Sequence, residues 1–155
     1  MNASPLVDAV CRTLSEDAGA GRFQGAPAAV VRHFGADMGM IHRLNPADQH
    51  LDLVATTVRV PQPVLPAARR IRLGKGIAGE TALTGKPVSM CNLQTDTSGV
   101  AQGTLCVPVL QSERVVGALG IGVRGERTLT EAETEELLAA GRVLAGPLAR
   151  ENATR

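Results

Sequence analysis

The chain has 155 residues, 44% of them hydrophobic and 20% charged, with a formal net charge of +1 at pH 7. That is the length of one domain with enough apolar material for a sizeable core. The charge balance, with no basic cluster longer than Arg69-Arg70-Ile71-Arg72, excludes a dedicated nucleic-acid surface and does not favour a membrane surface.

The predicted elements run as follows. Pro5 to Ala18 is a helix with Leu6, Val7, Val10 and Leu14 at helical spacing, Ser4 as N-cap and Pro5 at the first position. Gly19 to Gly25 is a loop, and Ala26 to Phe34 a second helix closed by Gly35. Met38 to Leu44 is a short apolar strand. The turn from Asn45 to Gln49 joins it to a returning strand, Leu51 to Val58, alternating through Leu51, Leu53 and Ala55. A Pro-rich connection from Pro61 to Pro66 leads to a short helix over Pro66 to Arg70 and an extended piece from Arg70 to Leu73. After the glycine segment come a strand from Val88 to Leu93, a polar loop from Gln94 to Gly103, and a hairpin of Thr104 to Leu110 with Arg114 to Val123. Gly117, Gly120 and Gly122 in its second strand point to close backbone approach by a packed helix. Thr130 opens the last helix with Glu133 in capping-box position, and Leu137, Leu138, Val143, Leu144 and Leu148 form its apolar side. Hairpins favour antiparallel pairing, so the expected class is α+β with a central antiparallel sheet and helices outside it.

No apolar run reaches the roughly 18 residues of a spanning helix, and Met1 to Pro5 carries no signal-peptide pattern, so the expected location is cytoplasmic. Cys11, Cys91 and Cys106 are odd in number and widely spaced, which does not make a disulfide framework. Phe23 and Phe34 are the only aromatic residues, which weakens nucleobase or flat-chromophore ligands.

Leu73 to Pro87 is the most informative stretch. Gly74, Gly76 and Gly79 permit a sharp turn and close approach, Ile77 to Thr84 makes about two helical turns, and Gly85 and Pro87 end them. The open N-terminus of such a helix can hold a small polar or anionic ligand through the amides of Ile77, Ala78 and Gly79, with Thr81 adding a hydroxyl and Lys75 a charge. Against that stands a purely structural turn with Lys75 in solvent. The spacing also matches Gly-x-Gly-x-x-Gly, but the helix is too short for a crossover, Asp96 lies in a polar stretch, and the pattern recurs at Gly120, Gly122 and Gly125. A dinucleotide site is therefore rejected.

Four pieces together carry a family likeness: Gly74-Lys75-Gly76-Ile77-Ala78-Gly79-Glu80 with Thr84-Gly85-Lys86-Pro87-Val88; Met90-Cys91-Asn92-Leu93; Leu105 to Val109 with Val115 to Gly120; and Leu129-Thr130 opening a helix with Glu131 and Glu133. In that order they resemble a GAF domain, the small-molecule sensing module of bacterial signalling proteins. The resemblance spans about Ala26 to Leu148 and implies a single domain, with a helix and loop over 1–25 and a core over 26–150. It implies a profilin- or PAS-like antiparallel sheet of five to six strands, with N- and C-terminal helices on one face. On the other face a short helix plus loops would enclose a cavity. The same likeness implies a non-enzymatic binding module with output through a homodimer of the terminal helices or through a signalling partner. No effector domain is read in the chain.

The candidate cavity residues are His42, Gly76, Ile77, Ala78, Gly79, Thr81, Met90, Cys91 and Cys106. The ligand's identity stays open. No metal is expected, because His33, His42 and His50 do not converge; pairing through the 45–49 turn puts His42 opposite about Leu53. Cys91 and Cys106 form the redox alternative, weighed against buried thiols that merely pack, as Cys11 is expected to do on the first helix. An enzymatic branch of the family reduces free methionine-(R)-sulfoxide. Ala78 stands where that branch commonly has cysteine in the glycine turn, and the loop from Gln94 to Gly103 holds none, which argues against catalysis. A purely structural dimerisation module is the remaining alternative.

Overall fold

A computed structural model describes residues 5–16, 23–57, 69–91, 103–123 and 130–153. In chain order the elements are α1 (Pro5–Glu16), α2 (Gly25–Phe34), β1 (Met38–Asn45), β2 (His50–Thr56), β3 (Arg70–Arg72), α3 (Gly76–Thr84), β4 (Val88–Cys91), β5 (Gly103–Gln111), β6 (Arg114–Val123) and α4 (Glu131–Ala153). The strands form one six-stranded sheet in the order β3-β2-β1-β6-β5-β4, every pairing antiparallel. This is the α+β arrangement expected, and among the described residues it lacks the parallel crossover that a dinucleotide fold requires. The Pro-rich connection with its short helix, the 94–102 loop, and the Ser4 cap lie outside the described residues.

Local chemistry places the ends of these elements. Gly35 and Gly85 close α2 and α3 in the left-handed conformation, at φ 64° and 71°, which only glycine adopts without steric cost. The Asn45 side chain accepts the Ala47 amide at 3.1 Å, shaping the β1–β2 turn. Thr130 and Glu133 exchange hydrogen bonds of 2.9 and 3.1 Å, the reciprocal capping box that starts α4. Pro147 sits inside α4, a feature the sequence reading passed over.

Side chains on the two faces of the sheet make two separate cores. On one face, Leu6 and Val10 of α1, Ala26 and Val30 of α2, and Leu137, Leu144 and Leu148 of α4 pack on Ile41, Leu105, Val107, Leu119 and Ile121. A 2.6 Å contact between His33 and Glu136 joins α2 to α4 at the rim. On the other face α3 lies on a smaller cluster of Leu51, Ala82, Cys106 and Ala118. Cys11 departs from expectation: it is exposed, on the side of α1 turned away from this packing.

A bulge divides β2 between the two faces. Ile41 pairs with Ala55 but His42 pairs with Leu53, leaving Val54 as the extra residue. The pairing of His42 with Leu53 is as expected, but the alternation is not continuous. Leu51 joins the α3-side cluster while Ala55 joins the helical core, because one inserted residue inverts the period-two pattern.

Gly117 is where β6 receives close approach. A Cβ there would lie 2.3 Å from the His42 carbonyl oxygen and 3.2 Å from Leu148 Cδ1 of α4. Gly117→Ala is therefore expected to destabilise by about 1–3 kcal/mol, the usual cost of forced overpacking. That lowers Tm by about 2–4 °C per kcal/mol at this size. Thermal denaturation of the variant checks it, and an unchanged Tm would contradict the packing.

Candidate ligand cavity

Strand alternation builds one wall of a cavity between the sheet and α3. Met38, Met40 and His42 sit at every second position of β1, so they share the face opposite Ile41. Their partners on β6 are Gly122, Gly120 and Ala118. The glycines leave the floor without side chains, and Gly120 also pairs with Cys106 of β5 on its other side. A half-open cavity of about 180 Å³ remains there, bordered by Ile71 of β3 and by Ile77 and Ala78 of α3. A Cβ on Gly120 would make only ordinary contacts, the nearest at 3.6 Å to Cys106 Sγ. Gly120 and Gly122 thus serve open space rather than a packed helix, which corrects the expectation for two of the three β6 glycines.

Of the expected residues, the cavity gathers His42, Ile77, Ala78 and Cys106. Gly76 is the first residue of α3, and neither Gly79 nor Thr81 is among the lining. Gly79 is a docking contact instead. A Cβ there would fall 2.5 Å from the Arg72 carbonyl oxygen and 3.1 Å from the Gly74 nitrogen. Its amide donates to the Lys75 carbonyl at 3.2 Å, and its own carbonyl accepts the Gly74 amide at 2.9 Å. Thr81 is fully buried and donates to the Cys106 carbonyl at 3.3 Å, tying α3 to β5. The backbones of Met90 and Cys91 lie in β4; their side chains lie outside the described residues.

Three features were missed from sequence: the Met-x-Met-x-His alternation of β1, the glycine floor of β6, and the contribution of Ile71. The first two were legible as period-two patterns, but only pairing β1 with β6 puts them in one place.

Cys106 is buried at 3% exposure, and its thiol is pushed up to about 12 by burial, partly offset by a hydrogen bond with Thr81. It is neutral at physiological pH and a poor nucleophile. On the β4–β5 ladder, Cys106 is opposite Val88 whereas Cys91 is opposite Gly103, three residue pairs away. At about 3.4 Å per residue their backbones stand roughly 10 Å apart, beyond the Cα range of about 4.4–6.8 Å for a disulfide.

A larger hollow of about 510 Å³ shares Ile71, Ile77 and Ala78 with the first and adds His50, Arg70, Arg72 and Lys75. Lys75 lines that hollow rather than the cavity over Gly120. Arg70 pairs with Asp48, and the Asp48 carbonyl contacts His50 Nδ1 at 2.7 Å. Among the described residues no group of three or more His, Cys, Asp or Glu converges. No described helix is long and apolar enough to cross a membrane.

An antiparallel sheet with helices on one face and a cavity beneath a short glycine-bounded helix on the other is a distinctive architecture. A family model described as a GAF domain matches residues 23–145, and the chain belongs to that family. It is similar to the GAF domain of an Acinetobacter phosphoenolpyruvate-protein phosphotransferase, with TM-score 0.81 and 18% identity over 97% of this chain and 94% of that one. It also resembles a free methionine-R-sulfoxide reductase from Neisseria meningitidis in complex with its substrate, with TM-score 0.76 and 14% identity over 100% and 97%. A third similar structure is the reductase of Staphylococcus aureus in complex with substrate, with TM-score 0.73 and 13% identity over 96% and 98%. At such identities the likeness concerns the fold. No curated protein sequence matches the chain.

Two outcomes follow for Cys106. With iodoacetamide at pH 8 and peptide mapping, Cys11 is modified in the native protein while Cys106 is protected until denaturant is added. Equal rates would contradict the burial. The folded thiol's raised value also makes stability fall as pH climbs from the ordinary thiol value of 9.0 towards about 12, because the unfolded thiol ionises first. Cys106→Ala removes that part of the alkaline loss, as read by urea denaturation against pH.

Proposed function

We propose that this GAF domain is a small-ligand sensor that takes its ligand into the cavity above Gly120 and passes the signal through its helical face. That output runs to a homodimer formed by the terminal helices or to a signalling partner. The observation carrying this reading is the glycine-floored cavity of about 180 Å³ bordered by α3. An apolar cavity of about 150 Å³ already holds benzene, so the space bordered by the described residues has room for a ligand of that order.

β1 offers the route from ligand to output. Met40 and His42 face the cavity, while Ile41 between them is fully buried in the core shared with α1, α2 and α4. A ligand that shifts β1 by a fraction of an ångström must repack Ile41, because interiors are close-packed. Signalling then requires that the ligand bind the two arrangements with different affinities. The segment from Pro61 to Leu73 and the loop from Gln94 to Gly103 are the proposed partners in that rearrangement.

The reductase reading draws on the likeness to the free methionine-R-sulfoxide reductases of Neisseria and Staphylococcus. It is disfavoured here by the neutral, buried Cys106 and its separation from Cys91 along the ladder. The same two facts weigh against a Cys91–Cys106 redox sensor.

Native mass spectrometry of freshly purified protein, compared with Gly120→Val, tests the proposal. The wild type is expected as a dimer carrying a small-molecule adduct that Gly120→Val loses while keeping its fold and subunit number. An adduct equally present in Gly120→Val would refute the cavity as the site. Turnover of free methionine sulfoxide that vanishes in a Cys91→Ser, Cys106→Ser double variant would replace this reading with the enzymatic one. A dimer with no adduct and no affinity for small molecules would leave a structural module.

A further inference from the structure

Three sulfur-bearing side chains border the cavity over Gly120: Met38, Met40 and Cys106. Met40 of β1 and Cys106 of β5 both pair with Gly120 of β6, so they flank one bare position across three strands. Neighbouring strands stand about 4.8 Å apart, which separates these two backbones by roughly 10 Å. Met38 repeats the arrangement beside Gly122, about 7 Å further along the strand. The floor between these side chains is thus a strip of glycine backbone about 10 by 7 Å, with thioethers on one side and a thiol on the other. The Cys106 sulfur leans towards it, being the nearest atom, at 3.6 Å, to a Cβ built on Gly120. Methionine usually fills irregular gaps in a core; here two half-buried methionines border open volume instead.

We propose that this cavity takes an uncharged monocyclic aromatic ligand, its ring lying over Gly120 and Gly122 between the thioethers of β1 and the Cys106 thiol. The inference rests on the reading of this cavity as the ligand site and names the ligand's class. A sulfur atom is attracted to an aromatic ring at about 5 Å, often at the ring edge. Two such distances end to end match the separation of roughly 10 Å between Met40 and Cys106. The chain has no Tyr or Trp, and its two Phe residues, Phe23 and Phe34, belong to the helical core on the other side of the sheet. Stacking on an aromatic side chain is therefore not offered here, and sulfur takes its part. Volume agrees, since about 180 Å³ exceeds the roughly 150 Å³ that holds benzene. Charge sets the other half of the class. No Asp, Glu, Lys or Arg is among the described residues that line the cavity, and Arg70, Arg72 and Lys75 border the neighbouring hollow instead. A carboxylate drawn over the glycine floor would lose its hydration with no cation there to replace it.

The experiment titrates the full chain calorimetrically with three probes of similar size. They are p-cresol, a phenol that is neutral at pH 7, methylcyclohexanol, its saturated counterpart, and p-toluate, its carboxylate counterpart. Binding of p-cresol is expected to be about tenfold tighter than that of methylcyclohexanol, the effect of two sulfur–ring contacts. Binding of p-toluate is expected to be the weakest of the three. In Met38→Leu, Met40→Leu, a nearly volume-conserving change, the preference for the aromatic ring should shrink to about threefold or less. Methyl-labelled methionine NMR on the unaltered protein should show the Met38 and Met40 methyl signals moving upfield with p-cresol, by the ring current, and not with methylcyclohexanol. Equal or tighter binding of methylcyclohexanol, tighter binding of p-toluate, a preference intact in the double leucine variant, or unmoved methyl signals would each overturn the proposal. Should the probes fail, or show no aromatic preference, while native mass spectrometry finds an adduct lost in Gly120→Val, the ligand class falls and the cavity reading stands. With no probe bound and no adduct, both fall together.

Discussion

The carbonyl oxygen of Arg72 occupies the place where residue 79 would carry a side chain, 2.5 Å from an ideal Cβ. That single close approach fixes the start of α3 against β3, and the rest of the cavity depends on it. Gly74 turns the chain at φ 86° so that its amide reaches the Gly79 carbonyl at 2.9 Å. Two residues further on, buried Thr81 bonds the Cys106 carbonyl and pins the same helix to β5. With α3 held at two points, its first turn hangs over the sheet instead of collapsing onto it. Gly120 and Gly122 supply no side chains to fill the gap. The glycine motif therefore acts as a support for the helix, with the Gly74, Lys75 and Gly79 amides engaged within it.

β1 connects the two halves of the molecule. Its odd positions face the helical layer and its even positions face the cavity, apart from the register change at the Ile41–His42 bulge, which is taken up on β2 by Val54. The arrangement lets one strand be both the wall of a site and part of the main core. Any displacement at Met40 or His42 is felt at Ile41, which touches the layer where α1, α2 and α4 meet. In the sensor proposed above, a two-faced strand of this kind would couple cavity and helical layer through contact alone.

The sequence made the helices, most strands and both glycine C-caps readable, because each has a local cause: 3.6-residue periodicity, a capping box, or a glycine where φ must be positive. Through the family resemblance it also grouped His42, Ile77, Ala78 and Cys106, which line one cavity in the structure. What it could not reveal was non-local. The β2 bulge moves Leu51 and Ala55 to opposite faces, yet their letters alternate as if the strand were continuous. Gly79 and Thr81 look like ligand-facing residues by type and position, and only the approach of Arg72 and Cys106 from distant strands shows that they hold the helix. Cys11 sits near enough to an apolar helix face to read as packing, but the neighbours that cover that helix leave it exposed.

The central claim is that open volume exists between α3 and the glycine floor of β6. The most direct measurement is a crystal structure of the protein under xenon pressure, since xenon enters dry apolar cavities of this size. The account predicts a single strong xenon peak within contact distance of Gly120, Met40 and Ile77. A structure with no peak there, and with the Met38 or Met40 side chains folded across Gly120 to fill the space, would contradict it.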